Sequence, residues 1–250
     1  MDTLLIEALQ LLFPSQCLLC GRSYTPDIFP HHGGERWAPV PLCRTCLQEL
    51  EQELLDQGQG CSICGSPLVS EQNICMSCRR HFPSLPSFRS NTPLFLYRGK
   101  AKELLRWYKF RNRRDLAPLF AYLFAQRVIT PFGIQLTLVP VPFRSAGKRS
   151  RGWDPVETIC RILSHHYGYN VAYLLKRRGN RQQKKMTAAE RKVNMQKAIV
   201  MRRRRRHLSA ESYYLIIDDV MTTGATLQAC AATLRDNGAE KISATTIVVD

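Results

Sequence analysis

Eight cysteines and a short run of acids and threonines are the side chains in this sequence whose types and spacing best suit chemistry. The cysteines form four Cys-x-x-Cys pairs: Cys17/Cys20, Cys43/Cys46, Cys61/Cys64 and Cys75/Cys78. Each such turn sets two thiolates on one side of a tight knuckle, and two knuckles complete a tetrahedron around Zn2+. Gly21 and Gly65 each follow a second cysteine, where a positive φ brings backbone N–H groups toward the sulfurs. In chain order the first four and the last four cysteines make two successive zinc ribbons; an interleaved cross-brace fits the same spacing. A redox role needs a thioredoxin-like strand–helix context, which is absent here. Two structural zinc ions are therefore expected. They either scaffold a loop-rich segment that cannot bury enough surface alone or also serve a nucleic-acid contact. His31, His32 and His81 lie near the pairs, but four thiolates per site leave them unneeded. Cys160 and Cys230 stand alone on apolar helix faces and read as core.

The acids are Asp218 and Asp219, within the string Tyr214–Leu227, YLIIDDVMTTGATL. A buried apolar strand delivers both carboxylates to its C-terminal end, where open α/β sheets bind ligands. The backbone N–H groups of Thr222, Thr223, Gly224, Ala225 and Thr226, opening a helix, suit a phosphate dianion. Asp218 and Asp219 suit ribose hydroxyls and, through water, Mg2+. The string matches in full the phosphoribosyl pyrophosphate (PRPP) signature of type I phosphoribosyltransferases: apolar run, two acids, small linker, TTGxT. The plainer reading is a strand–helix loop in which Thr226 caps the helix, and it leaves two adjacent carboxylates without a partner. Upstream, Val139–Arg144 (VPVPFR) looks like a loop that grips pyrophosphate, with Arg144, Lys148, Arg149 or Arg151 supplying charge. Solvated cations behind a proline-ended strand are the alternative there. Arg177–Asn194, polar and basic, resembles a flap that closes over the ligand and excludes water.

The elements that must hold these residues follow from periodicity. Arg80–Thr92 is rich in proline and serine and reads as a linker. Lys100–Val128 repeats apolar residues at helical spacing, with a break at Asn112–Asp115. Leu136–Pro142 is a buried strand ended by two prolines, and Asp154, Pro155 and Glu157 form a helix start. Tyr213–Ile217 is a second buried strand. A helix follows with Leu227, Cys230, Ala231 and Leu234 on one face; Gly238 ends it, and Ile242–Val249 is the last strand. This alternation predicts an α/β fold with a mostly parallel sheet flanked by helices, and the resemblance of Tyr214–Leu227 to the PRPP signature implies a type I phosphoribosyltransferase-like sheet. The expected division is a double zinc-ribbon module over 1–85 and the sheet domain over 86–250.

Composition narrows the partners. The chain has 250 residues, 44% of them hydrophobic, and a net charge of +16, so it can bury a core and it favours anionic partners. Five consecutive arginines, Arg202, Arg203, Arg204, Arg205 and Arg206, precede His207. Basic and aromatic residues alternate through Arg106-Trp107-Tyr108-Lys109-Phe110-Arg111. Cations on a backbone with rings under bases suit single-stranded DNA, and Lys109 and Arg111 join the arginine run as expected contacts. Solvated loops and helix core are the plainer alternatives for these residues. No run approaches the ~18 apolar residues of a membrane span. The N-terminus, MDTLLIEALQLLFP, reads as a short amphipathic helix stopped at Pro14. It lacks a basic start and carries Asp2 and Glu7, unlike a signal peptide, so a cytoplasmic location is expected, where disulfides are disfavoured.

Taken in order, the CxxC ribbons, YKFRNRRDLA, PVPFRSAGKRSRGW, the flap and the PRPP loop resemble the ComF family of competence proteins from Cys17 to the last strand. Gln183, Glu190, Arg191 and Asn194 match the family's flap pattern. Met186, Asn180 and Trp153-Asp154-Pro155 depart from its usual leucine, threonine and Phe-Asn-Gln. The resemblance implies a role in natural transformation, with single-stranded DNA handled in the cytoplasm beside uptake and recombination proteins. Two activities fit that role. One is a phosphoribosyltransferase using Mg2+ with PRPP, with Asp218 and Asp219 central. The other is a non-catalytic, PRPP-responsive adaptor for DNA or protein. A purine-salvage transferase is a third reading, which the ribbons disfavour.

Overall fold

The computed structural model describes residues 15–24, 40–56, 58–129, 136–143, 151–178, 198–202 and 207–250. The N-terminal helix expected over 1–14, His31 and His32 lie outside them. So do Arg144, Lys148, Arg149, the flap residues Asn180, Gln183, Met186, Glu190, Arg191 and Asn194, and Arg203, Arg204, Arg205 and Arg206.

The ribbon region contains a two-stranded antiparallel pair, β1 (Ser15–Gln16) and β2 (Ser23–Tyr24), and two short helices, α1 (Arg44–Glu51) and α2 (Met76–His81). Beyond it come β3 (Asn91–Leu96), α3 (Gly99–Phe110), α4 (Ala117–Phe124), β4 (Leu136–Pro140) and α5 (Pro155–Tyr167). Then follow β5 (Asn170–Val171), a small antiparallel pair of β6 (Leu175–Arg177) and β7 (Ile199–Met201), β8 (Tyr213–Met221), α6 (Ala225–Arg235) and β9 (Lys241–Val249). The expected break between helices appears as a 3-10 turn at Arg114–Leu116. The expected linker is shorter than its composition suggested, because Asn91 and Thr92 already belong to β3.

Five strands form one parallel sheet in the order β3-β9-β8-β4-β5. The α/β class expected from sequence is the class observed. From β4 the chain crosses by α5 to β5 on one side; from β8 it crosses by α6 to β9 on the other. Strand order therefore reverses between β4 and β8, the place where open sheets of this kind leave a crevice at their carboxyl ends.

Side chains of β8 alternate between the two faces, as a period of two requires. Leu215 and Ile217 pack with α3, α4 and α5, whereas Tyr214 and Ile216 pack with α6. The helix α5 starts as its sequence predicts, with Asp154 Oδ1 accepting from the backbone N–H groups of Val156 at 3.0 Å and Glu157 at 3.2 Å. Gly168 ends it at φ 70, a left-handed cap that glycine adopts without a Cβ penalty. Cys160 and Cys230 are both 0% exposed and serve as core.

The ribbons belong to the same two cores. Cys17 and Cys46 pack in the cluster of α3, α4 and α5, with Leu47 and Leu50 of α1. Cys61, Cys64 and Cys78 pack in the opposite cluster with Leu227 and Cys230 of α6.

Candidate functional site

The eight paired cysteines gather as two quartets, Cys17/Cys20/Cys43/Cys46 and Cys61/Cys64/Cys75/Cys78, with sulfurs within 4.8 Å of one another in each. The ribbons are thus successive and not interleaved. Cys20 and Cys43 sulfurs are 3.8 Å apart and those of Cys64 and Cys75 3.7 Å. A tetrahedron with Zn–S bonds of about 2.3 Å has edges of about 3.8 Å, so both quartets have the dimensions of a four-thiolate zinc site. Backbone amides turn inward as zinc knuckles do: Ser66 N–H donates to Cys64 Sγ at 3.5 Å and Cys75 N–H to Cys61 Sγ at 3.4 Å. A hydrogen bond from Cys78 brings the Cys64 thiol down to about 5, and the same interaction pushes Cys78 up. Burial opposes ionisation of Cys17, but amides of Cys43, Cys20 and Leu19 outweigh it and lower that thiol to about 7. Each quartet so contains a thiol already disposed to the thiolate that zinc requires. His81 instead bonds the Ser77 carbonyl through Nδ1 at 2.8 Å.

The acids sit where the sheet reverses. Pairing of β4 with β8 ends at Pro140 and Ile217, closed by a bond from the Val141 N–H to the Ile217 carbonyl at 2.9 Å. Strand β8 runs on to Met221, paired on its other side with Val249 of β9. It therefore extends past the expected end at Ile217. Asp218 and Asp219 are still in strand geometry, with one flank opened by the end of β4.

Asp218 Oδ1 accepts from the Asp219 N–H at 2.9 Å. Burial, reinforced by the Asp219 charge, pushes the Asp218 carboxyl up to about 7, with Lys109 and Arg177 opposing. Asp219 Oδ2 pairs with Lys109 Nζ at 2.9 Å, and both side chains are less than a fifth exposed, at 16% and 17%. Lys109, expected at a DNA surface, is thus engaged at the acid pair. Its signal was its place four residues after Leu105, on the edge of the buried stripe Leu104, Leu105 and Tyr108.

Around the acids lie further groups. Asp154 is raised to about 6, chiefly by burial, with Asp219 contributing. Tyr108 donates its hydroxyl to the Pro155 carbonyl at 2.7 Å. Arg177 Nε donates to the Pro142 carbonyl at 2.8 Å, which fixes it beside the loop after β4. The Arg151 guanidinium lies over the rings of Phe110 and Phe143, at 5.5 and 5.2 Å. Among the described residues, Arg151 Nη1 and Trp153 Nε1 are buried donors without an acceptor, so an oxyanion would satisfy them.

The loop Thr222–Thr226 turns directly into α6. Thr222 and Thr223 are exposed, Gly224 is buried, and Ala225 and Thr226 are half-buried. Gly224 is the N-cap at φ 71, and Thr223 Oγ1 accepts from the Ala225 N–H at 3.4 Å. The helix is capped by Gly224 and not by Thr226. Of the residues expected at nucleic acid, Arg111 and Arg202 are exposed. Phe110 is 70% exposed while Tyr108 is fully buried, so the aromatic series divides between surface and core. Among the described residues no helix is long and apolar enough to cross a membrane.

A family model described as a double zinc ribbon domain matches residues 8–79. That match spans both quartets, and the chain carries two zinc-binding sites there, each of four cysteines. No curated protein matches the chain.

Proposed function

We propose that the crevice between β4 and β8 binds PRPP with Mg2+, and that the chain acts as a phosphoribosyltransferase-like protein together with single-stranded DNA during natural transformation. The observation that carries the ligand reading is the Asp218–Asp219 pair, which continues into a threonine loop opening a helix through left-handed Gly224. Asp218 and Asp219 would hold the ribose hydroxyls and the hydrated Mg2+. The amides of Thr222–Thr226 would take the 5-phosphate. Arg151, Trp153, Lys109 and Arg177, with Arg144 from outside the described residues, would face pyrophosphate. The functional division follows residue 85: zinc ribbons before it, ligand site after it.

In the enzymatic form of this reading a nucleophile bonds to the ribose anomeric carbon as its bond to pyrophosphate breaks. Pyrophosphate would leave with its electron pair, its charge met by Lys109, Arg151 and Arg177 and by Mg2+ if it is bound with PRPP. An adaptor without turnover is the second reading. One observation favours it: Lys109 belongs to the basic, aromatic helix α3 yet is held by Asp219, so a ligand at the acids and a strand on α3 would share a residue.

Calorimetric titration of the zinc-loaded chain with PRPP and Mg2+ tests the site. Saturable binding is expected in the native chain and none in the Asp218→Ala/Asp219→Ala variant; absence of binding in both would sink the ligand reading. Serines in place of Arg202–Arg206 are expected to weaken single-strand binding and flatten its salt dependence. Unchanged binding would remove that run from the DNA surface.

A further inference from the structure

Between the second quartet and the threonine loop lies a short mechanical path. Cys78, a zinc ligand, accepts at its carbonyl the N–H of Phe82 at 2.8 Å, which fixes Phe82 one turn beyond the metal. The ring of Phe82 meets Phe88 edge-on at 5.9 Å, and Phe88 is 2% exposed. The Phe82 ring also meets Gly224. A Cβ at that glycine would fall 2.6 Å from Phe82 Cζ and 2.8 Å from Met221 Cε, so ring and loop backbone are in direct contact. The far end of the segment is pinned to α6: Ser87 N–H donates to Gln228 Oε1 at 2.8 Å, and Gln228 Nε2 donates to Ser87 Oγ at 2.9 Å. Arg235 Nη2 also donates to the Ser87 carbonyl at 3.0 Å.

We propose that the second zinc centre positions the threonine loop, with Phe82 as the positioning residue that transmits the geometry of the quartet to Gly224. Gly224 needs both its left-handed φ and the absence of a side chain, and Phe82 fills the space that a side chain there would take. With zinc bound, α2 ends in one place and the ring braces the turn that starts α6. Without zinc, Cys78 and hence Phe82 lose their anchor, and the amides of Thr222–Thr226 lose their fixed direction. The first quartet packs in the opposite cluster. The consequence for ligand affinity rests on the PRPP reading; the effect on loop order stands without it.

The test compares amide hydrogen exchange over 222–226 and over α5 in the full-length, zinc-loaded native chain and four variants. Zinc content and affinity for PRPP with Mg2+ are measured alongside. Cys20→Ser and Cys75→Ser should each lose one zinc, but only Cys75→Ser should speed exchange at 222–226, by about tenfold. Phe82→Ala should keep both zinc ions and speed the same amides by a similar factor, while α5 is unchanged and ligand affinity falls about tenfold. Phe82→Met, close in volume, should restore most of both. Native exchange at 222–226 in Phe82→Ala with two zinc ions retained would overturn the proposal, as would equal effects of the two cysteine variants. If Cys75→Ser does not fold, the Phe82 pair decides alone. If the native chain binds no PRPP, the ligand reading fails and the exchange comparison still decides this proposal.

Discussion

The two cysteine quartets have the same ligands and the same dimensions, and they are fastened to the sheet in different ways. The first is joined by apolar packing: Cys17 and Cys46 lie in one cluster with Leu47 and Leu50 of α1 and the helices α3, α4 and α5. The second shares the opposite core and is tied in addition by directional bonds to the start of β3. Asn91, the first residue of β3, is 3% exposed; its N–H donates to the Ile63 carbonyl at 2.8 Å, and its Nδ2 donates to the Cys64 carbonyl at 3.1 Å and to Thr246 Oγ1 at 3.2 Å. Hydrophobic burial is non-directional and closes a layer; hydrogen bonds to backbone fix register. The same metal motif adds to a core on one face, and on the other it is also bonded to the first residue of β3.

The strongest way to probe this contrast is Leu50→Ala. Leu50 is 0% exposed, so the cavity should cost about 2–5 kcal/mol, read by denaturant unfolding of the zinc-loaded chain. Exchange at 222–226 should stay native; a disturbed loop would break the contrast. Asn91→Ala comes next, at about 1–3 kcal/mol from the Cys64 carbonyl left unpaired. Its unfolding cost should come with faster exchange in the second ribbon and not in the first.

Asp218→Asn should act in the opposite direction. The fold raises this carboxyl to about 7 from an ordinary 3.8, so it favours the neutral form. The native chain then loses stability as pH rises from about 4 through about 7. An asparagine is neutral throughout, and should leave the chain more stable than the native one at pH 8 with the gain gone by pH 4, read as melting temperature against pH. PRPP binding should be lost at both. Lys109→Met is the smallest, at about 1 kcal/mol or less for a partly exposed pair, and should leave both quartets loaded with zinc.

Much of this was legible in the sequence because it is local. A CxxC knuckle, a cap at Asp154 and a strand that ends in acids and opens a helix are each written within a few residues. What was not legible depends on distant segments meeting. Lys109 and Asp219 are paired across α3 and β8, and a basic residue among aromatics reads equally well as a nucleic-acid contact. Phe82 lies in a segment whose prolines and serines mark a linker, and only packing brings its ring to Gly224. β8 outruns the end that its apolar character predicts at Ile217, because pairing with β9 carries the strand to Met221.

Because each quartet shares a core with the α/β layers, free zinc becomes a thermodynamic variable for the whole chain. A ligand that binds only the folded form adds RT ln(1 + [L]/Kd) to its stability. Above saturation, each tenfold fall in free zinc therefore removes about 1.4 kcal/mol per site, or about 2.7 kcal/mol for two. Since whole domains are stable by only about 5–15 kcal/mol, the abundance of this protein should follow zinc supply over a few decades of concentration, as a buffered population and not as a fixed stock.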